Sequence, residues 1–138
     1  MICPVCKDSM VVLELEQVEI DYCTGCEGVW LDAGELELLL ETEDERSRLI
    51  NLFKEAKPEK EKSFDCPICG KRMLKFEVGE QAKVVIDKCK KNHGLWFEKG
   101  ELKKVVEFGS ENKQNKIINL LTEMFEIKIS SKNNGGSK

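Results

Sequence analysis

The sequence predicts a small α+β protein that uses one structural unit twice. Three observations carry that expectation. Cys3-Pro4-Val5-Cys6 returns as Cys66-Pro67-Ile68-Cys69. Ile20-Asp21-Tyr22-Cys23 returns as Ile86-Asp87-Lys88-Cys89. Trp30, followed by Gly34-Glu35-Leu36, returns as Trp96, followed by Gly100-Glu101-Leu102. The similarity runs on past the cysteines, where RLINLFKEA (Arg48 to Ala56) aligns with KIINLLTEM (Lys116 to Met124). The offset between the copies drifts from 63 to 68 residues. Most of the extra length falls at Gly79-Glu80-Gln81, between two alternating segments, where a longer hairpin loop is tolerated.

Each copy opens on a Cys pair. Alternating segments follow, with Leu13 and Leu15, then Val18, Ile20 and Tyr22, separated by charged residues. That period of two predicts a half-buried, two-stranded hairpin. A second set of ligand-type residues stands at its far end. A short helix comes next. In the first copy Asp32 and Glu35 have the spacing of a capping box, and Leu36, Leu39 and Leu40 line one face. The second copy repeats the face as Leu102, Val105 and Val106, with Glu98 a poorer cap than Asp32. A longer amphipathic helix then closes each unit. The first has Thr42 as N-cap, Glu45 three residues on, and a stripe of Leu49, Leu52, Phe53 and Ala56 that stops before Pro58. The second is expected to start near Ser110 and carries Ile117, Leu120, Leu121 and Met124. The expected organisation is residues 1–57 as the first unit, 58–63 as an exposed linker, 64–129 as the second unit, and a disordered tail over 130–138.

The chain of 138 residues is 35% charged and 7% aromatic, a thin supply of core for two very small units. Such units need a staple, and the seven cysteines are the candidates. No apolar leader stands before Cys3 and no run is long enough to cross a membrane, so a reducing, cytoplasmic location is expected. There, Cys pairs point to metal or redox chemistry more than to disulfides. Cys3, Cys6, Cys23 and Cys26 form two Cys-x2-Cys knuckles separated by a hairpin's length of chain. Two intervening residues let one tight turn aim both sulfurs at a single ion, and this spacing is a strong signal for tetrahedral zinc. In the second copy Cys66, Cys69 and Cys89 are joined by His93, the single histidine, which falls where the fourth ligand is missing. Both residue types are ordinary zinc ligands. Two Zn2+ per chain are therefore expected, although Cys-Pro-x-Cys knuckles also suit iron at the first site. The predicted architecture becomes two tandem zinc ribbons, or zinc-clamped β-hairpins, each with a short helix and a longer amphipathic one.

CPVC … IDYCTGCEGVWLDAGELELLL resembles the zinc-ribbon domains known as TFIIB-type transcription-factor zinc fingers. Their pattern is CPxC, a hairpin, then CxxCxGxWLDxGEL. The first copy matches over about residues 1–40, with Gly28, Trp30, Asp32, Gly34, Glu35 and Leu36 in place. The second matches over about residues 64–106, with His93 for a Cys one position earlier, Glu98 for Asp, and a longer hairpin. The resemblance implies zinc binding, and its label implies nucleic-acid contact.

Zinc with four protein ligands has no open position for water or substrate, and no nucleophile–base pair is visible. No catalysis is expected. Charge divides the chain: residues 1–50 hold three basic and thirteen acidic side chains, the remainder nineteen and thirteen. Seven thiolates around two divalent ions add further negative charge. The first half therefore repels phosphate, and the favoured role is a protein-interaction adaptor with an unidentified protein partner. The alternative is a nucleic-acid-associated module in transcription or RNA handling, through Lys88, Lys90, Lys91, Lys99, Lys103 and Lys104. Trp30 and Trp96 read as core covering the hairpins, with base stacking as the competing role. Asp21 and Asp87 read as carboxylates that bind backbone near a knuckle. The apolar 110–129 helix could also join two copies of the chain.

Overall fold

The computed structural model describes residues 1–56, 63–111 and 116–123. The fold is small α+β, with one sheet and four helices among the described residues. In the first copy β1 (Val11–Leu15) and β2 (Val18–Tyr22) form the expected hairpin. Its two turn residues, Glu16 and Gln17, take φ of 48° and 69°, the left-handed geometry that matches the natural twist of a tight hairpin. A third strand, β3 (Val29–Asp32), pairs with β2. Next come α1 (Glu35–Leu38), α2 (Glu43–Asn51) and β4 (Phe53–Glu55). The second copy gives β5 (Leu74–Val78), β6 (Val84–Lys88), β7 (Gly94–Phe97) and α3 (Glu101–Gly109). A further helix, α4, covers residues 116–123.

All seven strands form one sheet in the order β1-β2-β3-β7-β6-β5-β4. The copies meet at β3 and β7, which run antiparallel with Trp30 opposite Trp96. Val29 faces Phe97 and Leu31 faces Leu95, so an approximate two-fold axis passes between the tryptophans. The same axis places each tryptophan over the other copy's glycine. A Cβ built on Gly28 would fall among the Cζ2 and Cη2 atoms of Trp96, and one on Gly94 would meet the Trp30 indole and the Leu31 carbonyl. The Gly-x-Trp pattern is thus a reciprocal seam. Both indoles are completely buried, which makes them core and removes base stacking as their role.

Each sheet face has its own core. One face carries Leu15, Val18, Ile20, Val29 and Leu31 of the first copy and Val78, Val84, Ile86 and Phe97 of the second, under the helices. On the other face Trp30 and Trp96 pack with Met10, Met73 and buried cysteines. Ile117, Ile118 and Leu121 of α4 belong to the helix-side core, so these side chains are committed within the chain.

Two local expectations need correction. The first closing helix does not run to Ala56. It stops at Asn51, and Phe53–Glu55 crosses to the second copy as an edge strand on β5. Pairing to an open edge outweighs the helical spacing of Leu52, Phe53 and Ala56. Nor do Asp32 and Glu35 form a capping box. Gly34, at φ 89°, is the N-cap of α1 and gives no side-chain bond. Glu35 Oε1 still accepts from the Asp32 N–H at 2.7 Å, but Asp32 Oδ1 takes the Trp30 indole N–H at 2.8 Å. Gly100, at φ 80°, caps α3 in the same way. The start expected near Ser110 for the last helix falls by residues 112–115, which lie outside the described residues, as do residues 57–62 of the linker, Met124 and the tail.

The Thr42 capping box of α2 forms as expected, and Glu45 does more than cap. Its Oε1 accepts from the N–H groups of Thr42 and Glu41, while Oε2 accepts from the N–H of Glu111 at 2.6 Å, beyond α3. One buried carboxylate therefore ties the two copies on the helix side. Burial pushes its pKa up, but these donors outweigh burial and hold it below the ordinary carboxylate value.

Two outcomes follow from this packing. Gly28→Ala should lower unfolding free energy by about 1–3 kcal/mol, the usual cost of overpacking, in chemical denaturation of the zinc-loaded chain, and Gly94→Ala should do the same. Glu45→Gln should also destabilise, by about 1 kcal/mol or more for the lost cap. A depressed pKa makes its contribution full above the unfolded carboxylate value and lost only as pH falls through the folded one. The gap between wild type and Glu45→Gln should therefore stay constant from about pH 8 to 5.

Candidate metal centres

Two groups of side chains converge as the spacing required. Cys3, Cys6, Cys23 and Cys26 place their ligand atoms within 4.8 Å of one another, and so do Cys66, Cys69, Cys89 and His93. The first pair of each group sits in the turn before the hairpin, and the second in the turn after it. Tight turns aim the sulfurs and leave amides to solvate them. The N–H groups of Val5 and Cys6 donate to Cys3 Sγ at 3.4 and 3.3 Å. In the second group Ile68 N–H donates to Cys66 Sγ and Lys91 N–H to Cys89 Sγ, each at 3.4 Å.

The distances discriminate between chemistries. Cys3 and Cys26 sulfurs are 3.7 Å apart, as are those of Cys69 and Cys89. A disulfide needs about 2.05 Å. A tetrahedron with metal–sulfur arms of about 2.3 Å has edges of about 3.8 Å. The His93 Nδ1 lies 3.4 Å from Cys89 Sγ, again a tetrahedral edge. In each group one sulfur lies deep and another nearer the surface.

Charge supports the same conclusion. At Cys89 burial pushes the pKa up, yet the N–H groups of His93 and Lys91 and the neighbouring thiols bring it down to about 6. At Cys66 burial prevails and pushes the thiol up to about 11. In the first group Cys23 is lowered by the N–H groups of Cys26 and Gly25 against its burial, while burial drives Cys26 strongly upward. By itself each cage favours ionisation at one sulfur and resists it at another. A divalent cation removes that conflict, and the two groups fit two zinc ions.

The changed letter in the second copy has a structural reason. Both second knuckles span the same length, and Cys23 and Cys89 donate their N–H to the carbonyls of Gly28 and Gly94. In the first, the turn closes with Glu27 N–H on the Cys23 carbonyl, and Glu27 takes φ 65°. In the second it closes one residue earlier, with Asn92 N–H on the Cys89 carbonyl and φ 62° at Asn92. The tighter turn swings the following residue, His93, into the cage. Glu27, at the matching position, is instead buried and meets Lys99 of the other copy at 2.8 Å.

Around these groups some residues act differently from expectation. Asp87 pairs with Lys75 at 2.8 Å, both side chains about 95% buried, and the Lys75 ammonium lies 5.5 Å from the centre of the Phe64 ring. The signal lay in the repeat: Lys75 stands where the first copy has Val12, directly across the hairpin from the aspartate. Asp21, with Val12 in place of a lysine across the hairpin, is raised by burial and by the nearby Asp32 and Glu19 carboxylates, against the opposing pull of the N-terminal ammonium. Glu35 is raised by burial and by Asp32, Asp21 and Glu19 as well. The Trp96 indole N–H has no partner among the described residues, because Glu98 replaces the aspartate that serves Trp30. The lysine cluster is partly spent: Lys88 lies over the Phe76 ring, Lys99 meets Glu27, and Lys103 meets Glu107. Lys90, Lys91 and Lys104 remain exposed. No helix among the described residues is long and apolar enough to cross a membrane.

A family model described as transcription factor zinc-finger matches the chain twice, over residues 2–42 and 65–107. Each match contains one of the two ligand groups. No curated protein and no solved structure matches the chain.

Elemental analysis of the purified chain should give two zinc ions, and His93→Ala should retain only the first firmly. Strong chelation should abolish the far-ultraviolet circular dichroism of the fold, because binding energy at such sites is folding energy. A spectrum unchanged by chelation would show that the ions do not hold the structure.

Proposed function

Because the chain belongs to the transcription-factor zinc-finger family, and carries its pattern twice, we propose that it is a structural zinc protein acting as a protein-interaction adaptor, without catalysis. One zinc is held by Cys3, Cys6, Cys23 and Cys26, the other by Cys66, Cys69, Cys89 and His93. Four protein ligands close zinc's coordination and make it a cross-link, with no position left for a substrate. The observation that carries the adaptor reading is the fate of the charges. Three of the six lysines around the second centre are engaged within the chain. In the first ribbon Glu16 and Glu27 meet Lys116 and Lys99, but Glu14, Glu19, Asp21, Asp32 and Glu35 have no ion pair among the described residues. Such a surface suits a polypeptide better than a phosphate backbone.

The second reading, a nucleic-acid-associated module, is favoured by the family's description and by Lys90, Lys91 and Lys104. Fluorescence anisotropy of the intact zinc-loaded chain, with single- and double-stranded nucleic acid across a salt series, separates the two. The intact chain is required, since β3 and β7 complete each other. The adaptor reading expects no binding at physiological salt. Micromolar or tighter binding with a clear negative salt slope would replace it with the second.

A further inference from the structure

The repeat provides an internal comparison for one surface. On the sheet face opposite the helices, the first copy presents Val12 and Glu14 on β1, opposite Asp21 and Glu19 on β2. Glu14 and Glu19 are direct cross-strand partners, a like-charge pairing that costs stability. The Asp32 carboxylate lies close enough to raise the cost of charge on Glu35. None of these five carboxylates has an ion-pair partner among the described residues.

The second copy neutralises the same face from within. Lys75 stands at the position of Val12 and holds Asp87, the counterpart of Asp21. Lys83 holds Glu77, the counterpart of Glu14, at 3.4 Å. Val85 replaces Glu19, and Lys104 replaces Leu38. Where the second copy has Lys75 and Lys104, the first has exposed apolar residues: Val12 is 61% exposed and Leu38 62%.

The two ends of the sheet differ in the same sense. The outer edge of β5 is covered by β4, with Lys54 opposite Glu77 and the Ala56 N–H donating to the Lys75 carbonyl at 2.9 Å. At the other end of the sheet, β1 has no strand on its outer edge among the described residues. The Lys75 backbone faces β4, and Val12 takes the same place in the repeat. The Val12 backbone groups therefore face the open edge. An unpaired edge with exposed valines is a template for another strand.

We propose that the outer edge of β1 takes an extended, basic segment of a partner protein as an eighth strand. Lysine or arginine side chains of that segment would lie over Glu14, Glu19 and Asp21, and aliphatic ones on Val12. The main chain supplies affinity and the alternating side chains supply selectivity, as in other strand additions. This rests on the adaptor reading and names the partner's chemistry.

The test uses the full zinc-loaded chain and a fluorescein-labelled short peptide alternating lysine and valine, with a glutamate–valine peptide as control. The lysine peptide should bind at low salt and weaken as salt rises, and the glutamate peptide should not bind. Val12→Lys, which copies the second ribbon, should weaken binding by about tenfold or more. Val12→Pro, which removes an outward N–H at a position where edge strands tolerate proline, should do likewise. Zinc content and circular dichroism confirm that both variants are folded. Absence of binding to the full chain, or equal binding by both variants, would overturn the proposal. Binding seen only when the chain ends at residue 123 would overturn it in favour of residues 124–138 as the occupant. A partner captured equally by wild type and Val12→Lys would overturn the edge but leave the adaptor reading intact. Nucleic-acid binding without peptide binding would remove both.

Discussion

The β3–β7 ladder is the constraint on which the rest of the molecule depends. Trp30 and Trp96 are the largest completely buried side chains, and each needs the bare backbone of the other copy's glycine beneath it. Neither copy can bury its own tryptophan in that way. Pairing the two central strands meets both needs at once and merges two hairpins into a seven-stranded sheet. The knuckles, hairpins and helices take their places around that seam.

The metal groups sit at the ends of the hairpins next to this seam, and their cysteines share a core with both indoles. Ligand binding and strand pairing are therefore parts of one packing problem. A small chain with few aromatics gains from this economy: the ions order the turns, the turns order the hairpins, and the hairpins present the central strands. Glu45 on the helix side and the Glu27–Lys99 pair beside the first knuckle add polar ties between the copies.

The ligand set, both hairpins and the repeat were legible because each has a short-range signature: Cys-x2-Cys, a period of two, a copied motif. The seam was not. Residues 29–32 and 94–97 are too short for a periodic signal, and a tryptophan over a distant glycine reads from sequence only as a buried tryptophan. The apolar spacing of Phe53–Glu55 also continues a helix, and only the open edge of β5 decides for a strand. The buried Lys75–Asp87 pair was hidden for a related reason, since cross-strand neighbours are 12 residues apart and appear only once the register is known. His93 was recognised as a ligand by elimination, while the one-residue tightening of its turn lay beyond sequence reading.

The shared ladder also orders events during synthesis. The first copy is complete, with its tryptophan and the free side of β3, before the ribosome has made β7. At about 5–20 residues per second, several seconds pass before the matching strand emerges. Throughout that interval, the nascent half carries the same unsatisfied seam as every other half-made chain on a polysome. Fusing the copies in one chain turns that hazard into a local search, because the second strand arrives tethered close to the first and outcompetes neighbours through its effective concentration.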